Sequence, residues 1–266
     1  MSILDHITVL ILTFNEEANI GRTLEAVKWA KRIVIIDSGS TDKTIDIIRK
    51  YPQAEIITRT FDGFAQQCNF GLSQVETVWV LSLDADYELD AALVAEMNGL
   101  TPSEDISGFS ASFVYRIYGR TLRSALYPPR TLLYRRDRAI YRNEGHGHRV
   151  VLDGLIGRLN APVYHDDRKP LARWFASQQR YAELEADYLL SVPRSGLTRI
   201  DQIRLMAWPA PVLVFTYTLI VKLCIFDGWA GWFYVLQRTL AETMVALEMV
   251  DRRLRCPRKP SKGTYR

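Results

Sequence analysis

The chain has 266 residues, of which 48% are hydrophobic and 24% are charged, and its formal net charge is +4. This length suits one large domain or a domain with an appendage, and the apolar content excludes a disordered chain. The three cysteines, Cys68, Cys224 and Cys256, are far apart and match no zinc or Cys-x-x-Cys spacing, which favours a reducing compartment.

Strands and helices alternate along the first hundred residues. Strands are predicted at 7–13, 32–37, 55–58 and 78–86, and helices at 16–30, 42–51, 63–75 and 89–100. Near-continuous apolar strands between helices predict a parallel sheet that is covered on both faces. Ligands bind at the carboxyl ends of the strands in such sheets. Four polar side chains are predicted at those ends: Asn15, Asp37, Asp84 and Asp86.

The remainder of the chain divides into a polar and an apolar part. Shorter strands are predicted between 107 and 165, as a substrate-facing half of the same domain, and a helix at 168–190. Residues 205–226 are the most hydrophobic stretch, and Pro209 and Pro211 interrupt it. We predict a first domain over residues 1–200 and membrane-associating helices with a basic tail over 201–266. In-plane or shallow insertion is favoured over a true span or a helix packed on the core.

Asp84 and Asp86 are separated by one residue at the end of a buried strand. Residues i and i+2 of a strand point to the same face, so two carboxylates are expected together. Such a pair suits Mg²⁺ or Mn²⁺, which takes its other ligands from water and substrate phosphate. The alternative is a pair of solvated acids that begin the next helix.

Three motifs occur in a fixed order along residues 7–90. They are Thr13-Phe14-Asn15-Glu16-Glu17, Asp37-Ser38-Gly39-Ser40-Thr41-Asp42 and Asp84-Ala85-Asp86. Helix capping explains the first motif and most of the second when each is taken alone, Asp37 less well. As a set they resemble the family 2 glycosyltransferases, which have the GT-A nucleotide-sugar fold. The segments QQCNFGLSQVETVWVLSLDAD and DGWAGW resemble the lipopolysaccharide core glucosyltransferase-like branch.

The resemblance implies roles for individual residues. Residues expected to bind the nucleotide sugar are Thr13, Asn15, Glu16, Asp37, Ser40, Asn69 and Asp84. Asp86, with Asp84, would bind the divalent metal, Mg²⁺ or Mn²⁺. The general base that activates the acceptor hydroxyl does not carry over from the family, because NEGHGHRVVLDG stands where the branch has Val-His-Glu. The candidates are Glu144, Asp166 and His146.

The expected activity is inverting, metal-dependent sugar transfer at the cytoplasmic face of the inner membrane. We expect a UDP-sugar as donor and a lipid-linked envelope glycan, such as the lipopolysaccharide core, as acceptor. Nine arginines between Arg116 and Arg149 would bind a phosphorylated acceptor or the donor diphosphate. Alternatives are transfer to a polyprenyl phosphate and a non-catalytic, membrane-tethered module that binds nucleotide sugars or anionic lipid. Nucleic-acid binding is not expected, because no aromatic stacking platform accompanies the basic residues.

Overall fold

The computed structural model describes residues 2–144 and 147–255. The chain forms two compact units, Met1–Pro170 and Leu171–Arg266. The sequence predicted a boundary near residue 200. The difference arises because the helix Leu171–Ser191 shares an apolar cluster with later helices, in which Ala186 and Leu189 join Val245 and Met249.

The strands and helices of the first unit follow the predicted alternation. Its strands are β1 (Ile7–Thr13), β2 (Ile33–Asp37), β3 (Ala54–Thr58), β4 (Trp79–Asp84), β5 (Tyr87–Glu88), β6 (Ile106–Ala111), β7 (Phe113–Ile117), β8 (Arg120–Thr121), β9 (Arg130–Arg135), β10 (Ala139–Glu144), β11 (Gly147–Leu152), β12 (Leu155–Arg158) and β13 (Val163–His165). Its helices are α1 (Ile20–Ala26), α2 (Thr44–Ile48), α3 (Phe64–Ser73) and α4 (Ala91–Asn98). The helices are shorter than predicted at both ends, because the residues that flank them form turns and loops.

A seven-stranded sheet in the order β12-β6-β9-β4-β1-β2-β3 forms the centre of the first unit. β4, β1, β2 and β3 run parallel, and β9 lies antiparallel between β4 and β6. This mostly parallel sheet confirms the predicted α/β class. The register sets Thr13 beside Asp37 and Leu12 beside Asp84, so the carboxyl ends of β2, β1 and β4 meet at one edge.

A smaller sheet, β5-β13-β7-β8, begins directly after β4. β13 pairs with β5 in the register that sets His165 opposite Tyr87. This pairing brings the end of β13 to the residues that follow Asp84. A further hairpin, β10–β11, is fixed to α3 by side-chain hydrogen bonds.

The second unit consists of α5 (Leu171–Ser191), α6 (Arg199–Arg204), α7 (Pro209–Thr216) and α8 (Gly228–Arg255). Pro209 is the first residue of α7 and so begins a helix instead of interrupting one. Within the described residues, no single helix is long and apolar enough to cross a membrane. Pro209–Val221 and Cys224–Arg255 meet that test only as a pair, by length and composition, and bend by 69° at their break.

Candidate active site

Asp37 shapes the loop that follows β2. Its side chain is buried, and its Oδ1 accepts hydrogen bonds from the hydroxyls of Thr13 (3.0 Å) and Ser40 (2.5 Å). Its Oδ2 accepts from the backbone N–H groups of Gly39 and Ser40, both at 2.9 Å. Gly39 has a φ of 88°, which a side chain would oppose. Because a carboxylate has about four acceptor positions, holding this loop is the role that the structure shows. Contact with the donor stays a prediction.

Asn15 joins the loop after β1 to the loop after β2. Its backbone N–H donates to Ser40 Oγ (2.8 Å), and its Oδ1 accepts from the N–H of Thr41 (2.7 Å). Asn15 has a φ of 55°, and α1 begins only at Ile20, so Asn15 does not cap that helix. The two predicted loops therefore form one rigid rim at the edge of the sheet.

Glu16 forms a largely buried ion pair with Lys169, with Oε1 and Nζ 2.8 Å apart. Its other oxygen accepts from Asn19 Nδ2 at 2.9 Å. Burial raises the pKa of Glu16, and the charge of Asp86 acts in the same direction. Burial acts to lower the pKa of Lys169, but Glu16, Asp86 and Asp167 outweigh it and the pKa is raised. The predicted donor residue Glu16 thus places a cation near Asp86.

Asp86 carries an unpaired buried oxygen. β4 ends at Asp84, and Asp86 lies in the turn that leads to β5, so the strand periodicity does not extend to it. Asp86 Oδ2 lies 3.0 Å from Nε2 of His165, whereas its Oδ1 has no partner among the described residues. Burial acts to raise the pKa of Asp86, but His165 and Lys169 outweigh it and lower the pKa to about 2. Asp86 is therefore a charged, half-satisfied carboxylate, which favours a cation beside it.

His165 is a site residue that the sequence-based selection omitted. Its ring lies among Tyr115, Tyr87 and Tyr127, with ring centroids 4.3, 5.4 and 5.4 Å away. Burial acts to lower the pKa of His165, but the carboxylate of Asp86 outweighs it and the pKa is raised. The signal that could have identified it is its place at the end of a short strand, as for Asp84.

The metal prediction fits the residues present. Among the described residues, no group of three or more His, Cys, Asp or Glu side chains could hold a metal ion. Two carboxylates are enough for Mg²⁺ or Mn²⁺ when water and phosphate complete the shell. The unpaired oxygen of Asp86 is the observation that supports such an ion, with Asp84 two residues away at the end of β4.

Asp166, one of the predicted base candidates, has contacts that hold the chain around the end of β13. Its side chain is wholly buried, and Oδ2 accepts from the N–H of Gly119 at 2.9 Å. The same oxygen pairs with Arg168 Nη2 at 2.6 Å. Its Oδ1 is buried and has no partner among the described residues. Its role as general base stays a prediction.

The other two base candidates are only partly described. Glu144 is the last residue of β10 and its backbone pairs with Gly147. The side chain of Glu144 and the whole of His146 lie outside the described residues. Glu144 and His146 remain predictions.

Asn69, predicted to bind the donor, has a structural role in the described fold. Its Nδ2 donates to the carbonyl of Tyr141 (2.9 Å), and its Oδ1 accepts from the N–H of Tyr141 (2.8 Å). Both amide atoms thus hold β10 against α3.

Comparisons with known proteins agree on one family of enzymes. The model of Glycosyl transferase family 2 matches residues 8–153. The lipopolysaccharide core biosynthesis glycosyltransferase LpsC of Rhizobium meliloti (strain 1021) is 30% identical over 192 residues, which cover 68% of this chain and 70% of that protein. A glycosyltransferase of Rickettsia bellii (strain RML369-C) is 34% identical over 100 residues, 37% of this chain and 34% of that protein. The family match agrees with the GT-A arrangement that the motifs implied.

Two solved structures are similar at lower levels. Glucosyl-3-phosphoglycerate synthase from Mycobacterium tuberculosis, solved with Mg²⁺ and UDP, aligns over 73% of this chain and 82% of that chain, with a TM-score of 0.45 and 18% identity. S. aureus TarS 1-349, solved with UDP-GlcNAc, aligns over 94% and 91%, with a TM-score of 0.38 and 15% identity.

Proposed function

Because the chain belongs to glycosyl transferase family 2, we propose that it transfers one sugar from a nucleotide-sugar donor, a UDP-sugar, to a lipid-linked saccharide of the bacterial envelope. The observation that carries the proposal is Asp86, a charged carboxylate with an unpaired buried oxygen at the carboxyl edge of the sheet. The likeness to LpsC supports an acceptor of the lipopolysaccharide-core type.

Asp84 and Asp86 would hold the divalent ion, which supplies charge stabilisation to the leaving diphosphate when bound. His165 fixes the orientation of Asp86 through the 3.0 Å hydrogen bond to Oδ2 and leaves Oδ1 for the ion. The low pKa keeps Asp86 ionised throughout the physiological range. Hydrogen bonds hold the loops around Asn15 and Asp37 in place, and these loops would form a rigid edge of the donor site.

Direct displacement inverts the anomeric carbon. The bond from that carbon to the diphosphate oxygen breaks, and its electron pair stays on the diphosphate. The bond from the acceptor oxygen forms on the opposite face, and the acceptor proton passes to a general base. We propose Glu144 as that base, with His146 as the alternative, because Asp166 is wholly buried and paired with Arg168.

The second unit supplies an apolar surface that suits a membrane. On α7, Val212 and Leu213 are 59% and 51% exposed. Trp208 and Trp229, which flank this stretch, are 76% and 83% exposed. Contiguous apolar surface next to tryptophans is typical of a helix that lies in the membrane interface. We infer peripheral association with the cytoplasmic face of the inner membrane, where the acceptor would be presented.

The test is transfer of a radiolabelled UDP-sugar into isolated bacterial envelopes by the purified protein with Mn²⁺. Label in the saccharide of the lipopolysaccharide fraction is the expected result, and Asp86→Asn serves as the inactive control. Label attached directly to polyprenyl phosphate would overturn the proposed acceptor. In that case Glu144→Gln should leave transfer intact, because a phosphate acceptor is already ionised.

A further inference from the structure

We propose that Arg130 binds the diphosphate of the donor and stabilises it as the bond to the sugar breaks. This inference rests on the proposed function. It singles out one of the nine arginines that the sequence assigned as a group to phosphate, and it commits that residue to the donor diphosphate.

The sheet places Arg130 at the edge that carries the two aspartates. β9 begins at Arg130 and runs antiparallel to β4, with Leu81 paired to Leu133. The first residue of β9 therefore lies at the edge where β4 ends, at Asp84.

A chain of contacts leads from Arg130 to Asp86. The guanidinium carbon lies 4.7 Å from the centre of the Tyr127 ring. That ring lies 5.4 Å from the ring of His165, which holds Asp86 by its hydrogen bond. The hydroxyl of Tyr127 also shares a hydrogen bond with that of Tyr87, the residue directly after Asp86. These contacts connect Arg130 to the aromatic side chains that surround His165, the hydrogen-bond partner of Asp86.

Several other arginines near this edge are already engaged. Arg116 pairs with Glu88 at 3.3 Å, and Arg168 pairs with Asp166 at 2.6 Å. By contrast, among the side chains that the structure describes, no carboxylate lies within ion-pair distance of Arg130, which is exposed. A guanidinium stacked on a tyrosine and lacking an acidic partner is free to take an anion from solution.

The chemistry of the proposed reaction requires such a cation. As the sugar leaves, negative charge grows on the oxygen of the second phosphate, and a fixed donor aimed at it lowers the barrier. A guanidinium presents two parallel N–H groups to one phosphate, which lysine cannot do.

The test is calorimetric titration of the full chain with UDP, GDP, CDP, ADP and dTDP, each with Mn²⁺, and with the monophosphate of the base that binds best. Arg130→Gln should weaken diphosphate binding about ten- to a hundredfold and change monophosphate binding by less than about twofold. Arg130→Lys should recover part of the loss. Arg136→Gln is the matched control, since Arg136 is exposed just beyond the opposite end of β9.

The outcomes separate the two proposals. Diphosphate binding by Arg130→Gln as tight as that of the wild type overturns the assignment of Arg130 and leaves the proposed function standing. Equal loss for monophosphate and diphosphate also overturns it, because Arg130 would then act on the whole pocket. A wild-type protein that binds none of the five diphosphates contradicts the proposed function itself.

Discussion

Asp86 is held by its hydrogen bond to His165, and its other oxygen has no partner among the described residues and is open to a ligand. Asp86→Asn keeps the shape of the side chain and removes its charge, so the fold should survive while metal binding is lost. We expect sugar-donor turnover to fall on the order of a hundredfold or more. Mn²⁺ together with UDP should raise the melting temperature of the wild type and leave that of the variant unchanged.

Asp90→Asn is the matched control for this prediction. Asp90 caps α4 by accepting from the N–H of Leu93 at 2.9 Å, and asparagine caps helices as well as aspartate does. Activity and the metal-dependent shift should therefore persist in Asp90→Asn. Loss of both in this control would mean that any change near β4 inactivates the protein.

A substitution of Asp37 tests whether its side chain stabilises the loop after β2. Asp37→Asn replaces an acceptor of four hydrogen bonds by a group that can accept fewer, so donors in the loop lose their partner. We expect the free energy of unfolding to fall by about 1–3 kcal/mol in urea denaturation. Asp46→Asn, at an exposed position on α2, should change it by less than about 0.5 kcal/mol. Equal losses of unfolding free energy in Asp37→Asn and Asp46→Asn would contradict the role of Asp37 in shaping the loop.

Site residues were predictable where a motif marks them within a few positions. Asp37 and Asp84 end apolar strands, and Asp86 lies in the turn directly after one, so the local pattern was enough to predict their positions. His165 reaches Asp86 across 79 positions of sequence, and only the pairing of β13 with β5 brings them together. The enclosure of Asp166 by Gly119 is likewise a long-range contact that no local pattern encodes.

At the scale of elements, Asn19 ties α1 to the segment after β13. Its fully buried amide donates to Asp167 Oδ1 (2.8 Å) and accepts from the N–H of Arg168 (2.9 Å). Asn19→Ala should lower the free energy of unfolding by about 2–3 kcal/mol, because buried partners are left unsatisfied. Asn143→Ala, at an exposed position on β10, should cost less than about 0.5 kcal/mol. Similar melting curves for both variants would contradict a stabilising role for the hydrogen bonds between Asn19 and the segment after β13.

The predicted membrane association rests on the exposed apolar residues around α7. Trp208→Ser with Trp229→Ser should weaken binding to vesicles of phosphatidylethanolamine and phosphatidylglycerol, on the order of tenfold for each tryptophan. The control is Leu155→Ser with Ile156→Ser, since both are exposed on β12 in the first unit, at 60% and 52%. Co-sedimentation of the tryptophan variant at the wild-type level would place membrane contact elsewhere or nowhere.

The parallel strands were predictable because each is a nearly continuous apolar run, such as β2, which is buried throughout. The ends of the helices were not, because side-chain contacts between loops decide them, as Asn15 shows before α1. The small sheet β5-β13-β7-β8 is built from short strands that pair across long separations. Its position could not be read from periodicity alone.

At the scale of the whole molecule, the two units carry different surfaces. The described site residues from Thr13 to Lys169 lie in Met1–Pro170, together with the central sheet. The apolar surface around α7 lies in Leu171–Arg266. The sequence predicted a polar, ligand-binding part followed by an apolar part. The boundary at Pro170 depends on the packing of α5 with α8, which composition does not reveal.

The most direct measurement is release of nucleoside diphosphate by the purified protein from a panel of UDP-, GDP-, CDP-, ADP- and dTDP-sugars. We predict release from one class of donor, with Mn²⁺ or Mg²⁺ present, and its loss on chelation with EDTA and in Asp86→Asn. Release that persists undiminished in EDTA would contradict the metal role of Asp84 and Asp86. If the protein neither released nucleoside diphosphate from any donor nor bound any donor, this result would contradict glycosyl transfer by this chain.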